Sequence, residues 1–329
     1  MFYKQVSDMK QETILISSNF KRKKVSLWKR IWKFKWLYLF LLPAFIWYII
    51  FCYYPMSGLI LIFKDYSFSK GIFGSPWSDP WNKSITMFFD NPLVWKMIGN
   101  TVIISVLRIL TFPIPIILAL MLNEVRNPLV KKVVQTVTYF PFFISWAIIV
   151  SLLEQLLTPY GEGGPLYSLL TLFDSSNTLI YFMQDAEYFY PILIISLLWK
   201  TMGWNSIIYL AAMTNINPEL YEAAKLDGAN RLQLIRYITI PSIRVTIGLL
   251  FILSLGSIMN AGYEQIYLMQ TPGNYELSNV LDVYVVTMGV EGGYYSLATF
   301  AGLFQSLINL AIVVIANAIL RKKADIALW

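Results

Sequence analysis

Four charged side chains, Arg108, Glu154, Lys200 and Glu264, stand inside long apolar stretches of this chain. Charge in such surroundings is costly and marks either an internal ion pair or a polar route through an apolar layer. At about 1.5 Å of rise per residue, Arg108 and Lys200 fall near the middle of their stretches, and Glu154 and Glu264 toward one end. Asn260 is expected one helical turn from Glu264. The structural reading pairs Lys200 with Glu264 or Glu154. The functional reading has Lys200, Asn205, Asn260, Tyr263 and Glu264, with Gln265, lining a path for a hydrogen-bonding solute. A proton relay fits less well, because these residues form no single file on one helix. Composition removes other chemistry: there is no histidine and a single cysteine, Cys52. Imidazole or multi-thiolate metal sites, a histidine-based triad and a disulfide framework are excluded. No catalytic residue, metal ligand or nucleotide-binding GxxxxGK[ST] loop is found, and no cofactor is expected on this chain.

A second constellation lies in the polar run 217–241, NPELYEAAKLDGANRLQLIRYITIP. Asn217 can cap a helix, Pro218 suits its first position, and Glu219 meets the positive end of the helix dipole. Asp227-Gly228 supplies a turn, since Gly tolerates positive φ and Asp bonds its own backbone. A second short helix should follow until Pro241 breaks it. Such a run is either a solvated loop or a docking element.

The elements that position these residues are set by composition. Of 329 residues, 57% are hydrophobic and 14% charged, far from the balance of ordinary globular proteins; the chain is expected to be an all-α membrane protein. Six apolar segments, at about 37–63, 98–122, 133–157, 190–213, 245–269 and 296–320, each approach or exceed the roughly 20 residues that span a bilayer. Pro43, Pro55, Pro113, Pro115 and Pro141 within them predict kinks or breaks. Twenty of the 26 Lys and Arg fall on one side of this arrangement. The positive-inside rule therefore puts both termini and the 217–241 run in the cytoplasm. Residues 1–36 form a basic, aromatic entry segment too long to be a cleavable signal. It reads either as a surface-snorkelling lead-in or as a binder of anionic lipid. The opposite loops, including Tyr160-Gly161-Glu162 and Gly292-Gly293-Tyr294-Tyr295, are rich in aromatic residues. Those side chains could anchor at the membrane surface or stack on sugar rings.

Glu222-Ala223-Ala224, Asp227-Gly228-Ala229 and Ile238-Thr239-Ile240-Pro241 together resemble the cytoplasmic signature of binding-protein-dependent ABC importer permeases, in the carbohydrate branch that includes the maltose-type permeases. Ile240 stands where that signature usually has Leu. The resemblance covers about residues 37–329, leaving 1–36 as a separate N-terminal segment. It implies a six-helix type I importer permease of the bacterial cell membrane, with a cytoplasmic coupling helix made by Glu222, Ala223, Ala224, Asp227, Gly228, Ala229 and Pro241. It also implies a second homologous permease, two copies of a separate ATPase that holds ATP and Mg, and an extracellular lipid-anchored sugar-binding protein. Residues 281–304 and the closing Leu328-Trp329 look like the Gram-positive subgroup that imports complex oligosaccharides, acidic pectin-derived ones among them. The resemblance implies no nucleic acid partner. A secondary transporter or channel would leave the 217–241 run without purpose. A membrane-embedded transferase would need a paired carboxylate site that is not evident.

Overall fold

The computed structural model describes residues 32–159, 163–172, 179–324 and 326–328. Residues 1–31, most of the basic entry segment, lie outside the described residues, as do Tyr160-Gly161-Glu162 and Trp329. The chain divides into two units, Met1–Gly58 and Leu59–Trp329. In the first, helix α1 (Lys35–Tyr48) carries Pro43 without a break and passes into a π-helical turn, Ile49–Tyr53, just before Pro55. No residue from Lys35 to Met56 is buried.

The second unit is helical throughout its main elements. These are α2 (Pro92–Leu110), α3 (Pro113–Glu124), α4 (Pro128–Tyr139), α5 (Trp146–Leu157) and α6 (Ala186–Thr214). They continue with α7 (Pro218–Leu226), α8 (Arg231–Leu255), α9 (Tyr263–Met269), α10 (Leu281–Val286) and α11 (Tyr295–Ala324). An Asn-Pro pair opens three of them for one local reason. The Oδ1 atoms of Asn91, Asn127 and Asn217 each accept from the backbone N–H two residues on, while the proline fills a position whose N–H has no helical partner.

Among the described residues, five helical runs are long and apolar enough to cross a membrane: Lys35–Phe63, Pro92–Glu124, Ala186–Thr214, Arg231–Leu255 and Tyr295–Lys322. A sixth span results if Pro128–Phe143 and Trp146–Leu157, bent by 102°, are one crossing. The break expected at Pro141 is thus present. It follows a 3₁₀ turn at Phe140–Phe143, and Ser145 Oγ caps the restart by accepting from Ile148 N at 3.4 Å. The carbonyls that the break frees need donors, because lipid supplies none. Lys200 Nζ donates to the carbonyl of Phe142 at 3.2 Å and to that of Ile144, and sits 5.3 Å from the Trp146 ring centre. The expected ion pair of Lys200 with Glu264 or Glu154 is therefore not formed. Carbonyl oxygens of a broken helix, already near the ammonium, replace a carboxylate.

Two further expectations are corrected. The fifth span does not run over 245–269: it ends at Leu255, and 256–262 is non-helical before α9 begins. Gly262, at φ +98°, holds a conformation closed to most side chains, and Asn260 is consequently not on a common helix with Glu264. Nor does Pro241 end a helix. A π-helical turn at Ile235–Thr239 widens the backbone just ahead of it, which relieves the proline ring and lets α8 run on to Leu255.

Three buried clusters hold the second unit. Ile104, Val150, Phe189, Leu193, Ile266 and Val283 form one. Phe88, Val94, Met97, Leu281 and Ala301 form a second. Ala119, Leu122, Tyr209, Met213 and Ile243 tie α3, α6 and α8 together in a third. At Gly203 the backbones of α6 and α4 nearly touch: an added Cβ would lie 2.1 Å from the Thr138 carbonyl oxygen. Close approach at small residues is how helices gain contact where lipid removes the hydrophobic drive.

Candidate functional site

The 217–241 run folds as two back-to-back caps. Helix α7 ends with Gly228 at φ +83°; Ala229 N donates to the Ala224 carbonyl at 2.9 Å and Gly228 N to that of Lys225 at 3.1 Å. This is a Schellman closure, in which Gly takes the left-handed position and its own N–H and that of the next residue satisfy the last carbonyls. The Ala224-to-Gly228 spacing is the spacing this closure requires. Immediately after it, Asn230 and Gln233 form a capping box: Gln233 N donates to Asn230 Oδ1 at 3.0 Å, and Asn230 N to Gln233 Oε1 at 2.7 Å. Tyr221 Oη and Thr239 Oγ1, 2.9 Å apart, tie α7 to the π-helical turn.

The result is an elbow stiffened by its own backbone, with side chains left outward. Glu222, Ala223, Asp227 and Gly228 are exposed, and Ala224 and Ala229 half-buried. Leu226 is 90% exposed, Leu232 74% and Tyr237 69%, large apolar groups carried by an otherwise polar run. A hollow of about 220 Å³ opens between the arms, lined by Ala224, Asp227, Gly228, Gln233 and Tyr237 among others. Leu226, Leu232 and Tyr237 were not singled out in the sequence. Their signal was present, as large apolar residues inside an otherwise polar run.

A second place of interest is a cavity of about 330 Å³ between α2, α6 and α8. It gathers Arg108, Asn205 and Asn260 with the hydroxyls of Ser105, Thr201 and Ser254. Lys200, Tyr263 and Glu264 do not line it. Lys200 is 8% exposed and turned to the α4–α5 break, Tyr263 stacks toward Tyr267 at 5.2 Å between ring centres, and Glu264 is exposed. Gln265 is buried and donates to the Leu193 carbonyl at 2.8 Å and to Ser196 Oγ at 3.0 Å.

At the cavity wall, the non-helical 256–262 segment is held by side chains from three helices. Arg108 Nη1 donates to the Asn260 carbonyl at 3.3 Å, and Asn309 Nδ2 to Asn260 Oδ1 at 3.1 Å. Asp282 accepts from Gly262 N at 3.0 Å and from Gln305 Nε2 at 2.9 Å. Gln305 also donates to the Met259 carbonyl at 3.0 Å, and Asn309 Oδ1 accepts from Met259 N at 2.8 Å. Asp282, Gln305 and Asn309 were missed in the sequence, because amides and one acid in scattered positions carry no periodic signal.

Two exposed ion pairs, Lys83–Asp65 and Lys96–Glu276, each close at 2.8 Å. The bond from Lys96 holds the Glu276 carboxyl below its usual range, and a bond to Glu291 raises the Tyr267 phenol above its own.

Residues 111–325 match the family described as binding-protein-dependent transport system inner membrane component. The chain is 40% identical over 303 residues to the polygalacturonan/rhamnogalacturonan transport system permease protein YteP of Bacillus subtilis (strain 168), covering 92% of each chain. It is 40% identical over 289 residues to protein LplB of the same organism, covering 88% of this chain and 89% of that one. Among solved structures, it superposes with a TM-score of 0.82 and 39% identity on a chain of a bacterial ABC transporter involved in the import of the acidic polysaccharide alginate, covering 91% of this chain and 100% of that one. A match of the same TM-score, 0.82, at 38% identity, is to a chain of the bacterial alginate ABC transporter in complex with alginate pentasaccharide-bound periplasmic protein. That match covers 92% of this chain and 100% of the other.

Proposed function

This chain belongs to the binding-protein-dependent transport system inner membrane components, and from that membership we propose that it is one of two permease subunits of an ATP-driven importer of oligosaccharides. Pectin-derived and other acidic saccharides are the substrates that the named relatives favour. The single observation that carries the reading is the 217–241 elbow: a self-capped turn showing Leu226, Leu232 and Tyr237 beside a hollow, in a chain with no nucleotide loop of its own.

On this reading the elbow seats in a groove of a separate ATPase. Ala223 and Ala224 are small enough for close approach, and Glu222 offers its carboxylate to a basic partner group. ATP and Mg belong to two copies of that ATPase. Their closure carries the elbow with it, and α8, continuous with the elbow through the π-helical turn, transmits the movement to the cavity as a rigid body. A second, related permease supplies the other half of the pathway, and an extracellular lipid-anchored binding protein delivers the sugar. With twenty of its basic residues on the elbow's side, the chain has both termini in the cytoplasm. A channel or secondary transporter leaves the elbow's exposed apolar groups without a use.

The test is co-purification of the chain with the products of neighbouring genes, followed by ATP hydrolysis in lipid nanodiscs. Hydrolysis stimulated by a sugar-loaded binding protein is expected. A complex with no ATPase, or one indifferent to the binding protein, sinks the proposal.

A further inference from the structure

The cavity between α2, α6 and α8 contains a charge that import of a neutral sugar would not need. Among the described residues, Arg108 is the charged side chain that lines it, surrounded by hydroxyls and amides. A guanidinium held inside a membrane span is costly and calls for a partner. The acid whose charge reaches it, Asp282, is engaged by Gly262 N at 3.0 Å and by Gln305 Nε2 at 2.9 Å. Asp282 and Arg108 form no ion pair among the described residues. Arg108 itself makes a long bond of 3.3 Å from Nη1 to the Asn260 carbonyl. A guanidinium presents several N–H donors in a planar fork, so most of its capacity is left for something in the cavity.

The placement is built rather than incidental. The guanidinium lies against the backbone of Gly262, where an added Cβ would fall 2.7 Å from Nη1. Glycine at this position is what lets the group rest there. A fork with free donors, beside the amides of Asn205 and Asn260 on the same cavity, points to a ligand with both acceptors and hydroxyls. At about 330 Å³ the space is at the small end of ligand pockets, roughly 300–1,000 Å³, which suits a single sugar unit.

We propose that this cavity binds a uronate unit of the transported oligosaccharide, its carboxylate on the fork of Arg108 and its ring hydroxyls on Asn205 and Asn260. Arg108 is then the residue that selects acidic over neutral sugars within the permease. The planar fork matches a carboxylate in two parallel bonds, which a lysine cannot reproduce. This inference rests on the importer reading above, and it places substrate recognition in this subunit as well as in the binding protein.

The test compares uptake of trigalacturonate with uptake of the same trimer after methyl esterification of its carboxyls, in proteoliposomes carrying the full importer. The variant-to-wild-type ratio for each sugar cancels the preference of the binding protein, which is the same in both. Arg108→Gln should lower the ratio for trigalacturonate about ten-fold, the size expected for a lost charge-assisted hydrogen bond, and that for the ester less than about three-fold. Equal losses for the two sugars, or none, overturn the proposal, since a packing role for Arg108 does not read the charge of the sugar. If the Gln variant does not assemble, the same ratio measured on Arg108→Lys decides: selective loss for the acid supports the proposal, and parallel loss or no loss overturns it. A wild-type importer that takes up neither sugar overturns the oligosaccharide reading and this inference with it. That failure differs from the others because it appears without any substitution.

Discussion

The elbow at 217–241 and the broken segment at 256–262 are both helix interruptions built around a glycine with positive φ, yet they are stabilised in opposite ways. At the elbow, Gly228 and its neighbours are closed by partners three to five residues away, and an added Cβ at Gly228 would meet nothing within 4 Å. At the broken segment, the partners are Arg108, Asp282, Gln305 and Asn309, up to 152 residues distant along the chain, and an added Cβ at Gly262 would strike a guanidinium. The first needs only its own sequence and can face outward to another protein. The second exists because other helices hold it, and it shares the wall of a cavity. On the importer reading proposed above, a docking surface must keep its shape while exposed, whereas a pathway wall would be supported by the same helices that have to move.

The largest effect should come from attacking the elbow. Gly228→Pro forces φ to about −65° where the chain has +83°, and it removes the N–H that closes on Lys225. Uptake should be lost while the protein still inserts and ATP is still hydrolysed; Glu222→Lys should uncouple in the same way. Transport at the wild-type rate by both variants would remove the elbow's coupling role and with it half of the comparison. Next in size is Gly262→Ala, which meets both a forbidden φ and the Arg108 guanidinium. It should destabilise the folded protein by about 1–3 kcal/mol, read as a lower melting temperature of the detergent-solubilised chain. An unchanged melting temperature would mean that the broken segment yields as freely as the elbow glycine's open surroundings allow.

Asn260→Ala should act more gently. It deletes the bond from Asn309, and interhelical hydrogen bonds in membranes average about 0.6 kcal/mol, so transport should weaken about two- to three-fold with ATPase assembly intact. Loss of assembly instead would make Asn260 a packing residue. The smallest effect belongs to the exposed Lys96–Glu276 pair. Because the folded carboxyl titrates below its ordinary value, its contribution is complete above the unfolded pKa of about 4.5 and fades as pH falls through the folded one. Melting curves of wild type and Glu276→Gln should therefore converge on acidification, and a gap that widens instead would reverse the assignment.

Much of the elbow was legible in the sequence. Asn217-Pro218, the Ala224–Gly228 interval and Asn230–Gln233 each encode a cap whose partners are within six residues. Pro241 misled because its disruption is absorbed one turn earlier, in a π-helical widening that leaves no compositional mark. In the cavity, Asn205 and Asn260 were recognisable as polar residues within apolar runs, and the structure brings both to its lining. Lys200 was equally visible but could not be assigned. Its partners are the carbonyls of Phe142 and Ile144, and a freed carbonyl is a property of a break that has no residue type of its own. The fifth span was extended too far for a related reason: nothing within 256–262 marks the end of the helix, and Arg108, Asp282, Gln305 and Asn309, arriving from elsewhere, hold the non-helical path.

The sequence by itself determined the all-α membrane class, most of the span positions and the capped elbow, because these follow from composition and from contacts between near neighbours. The tertiary structure alone decided that the fifth span stops at Leu255 and that α8 runs through Pro241, which buried charge meets which carbonyl, and that Arg108 and Ser105 share a cavity with Asn205 and Asn260. Those features depend on groups far apart in the chain meeting where no water is available to satisfy them.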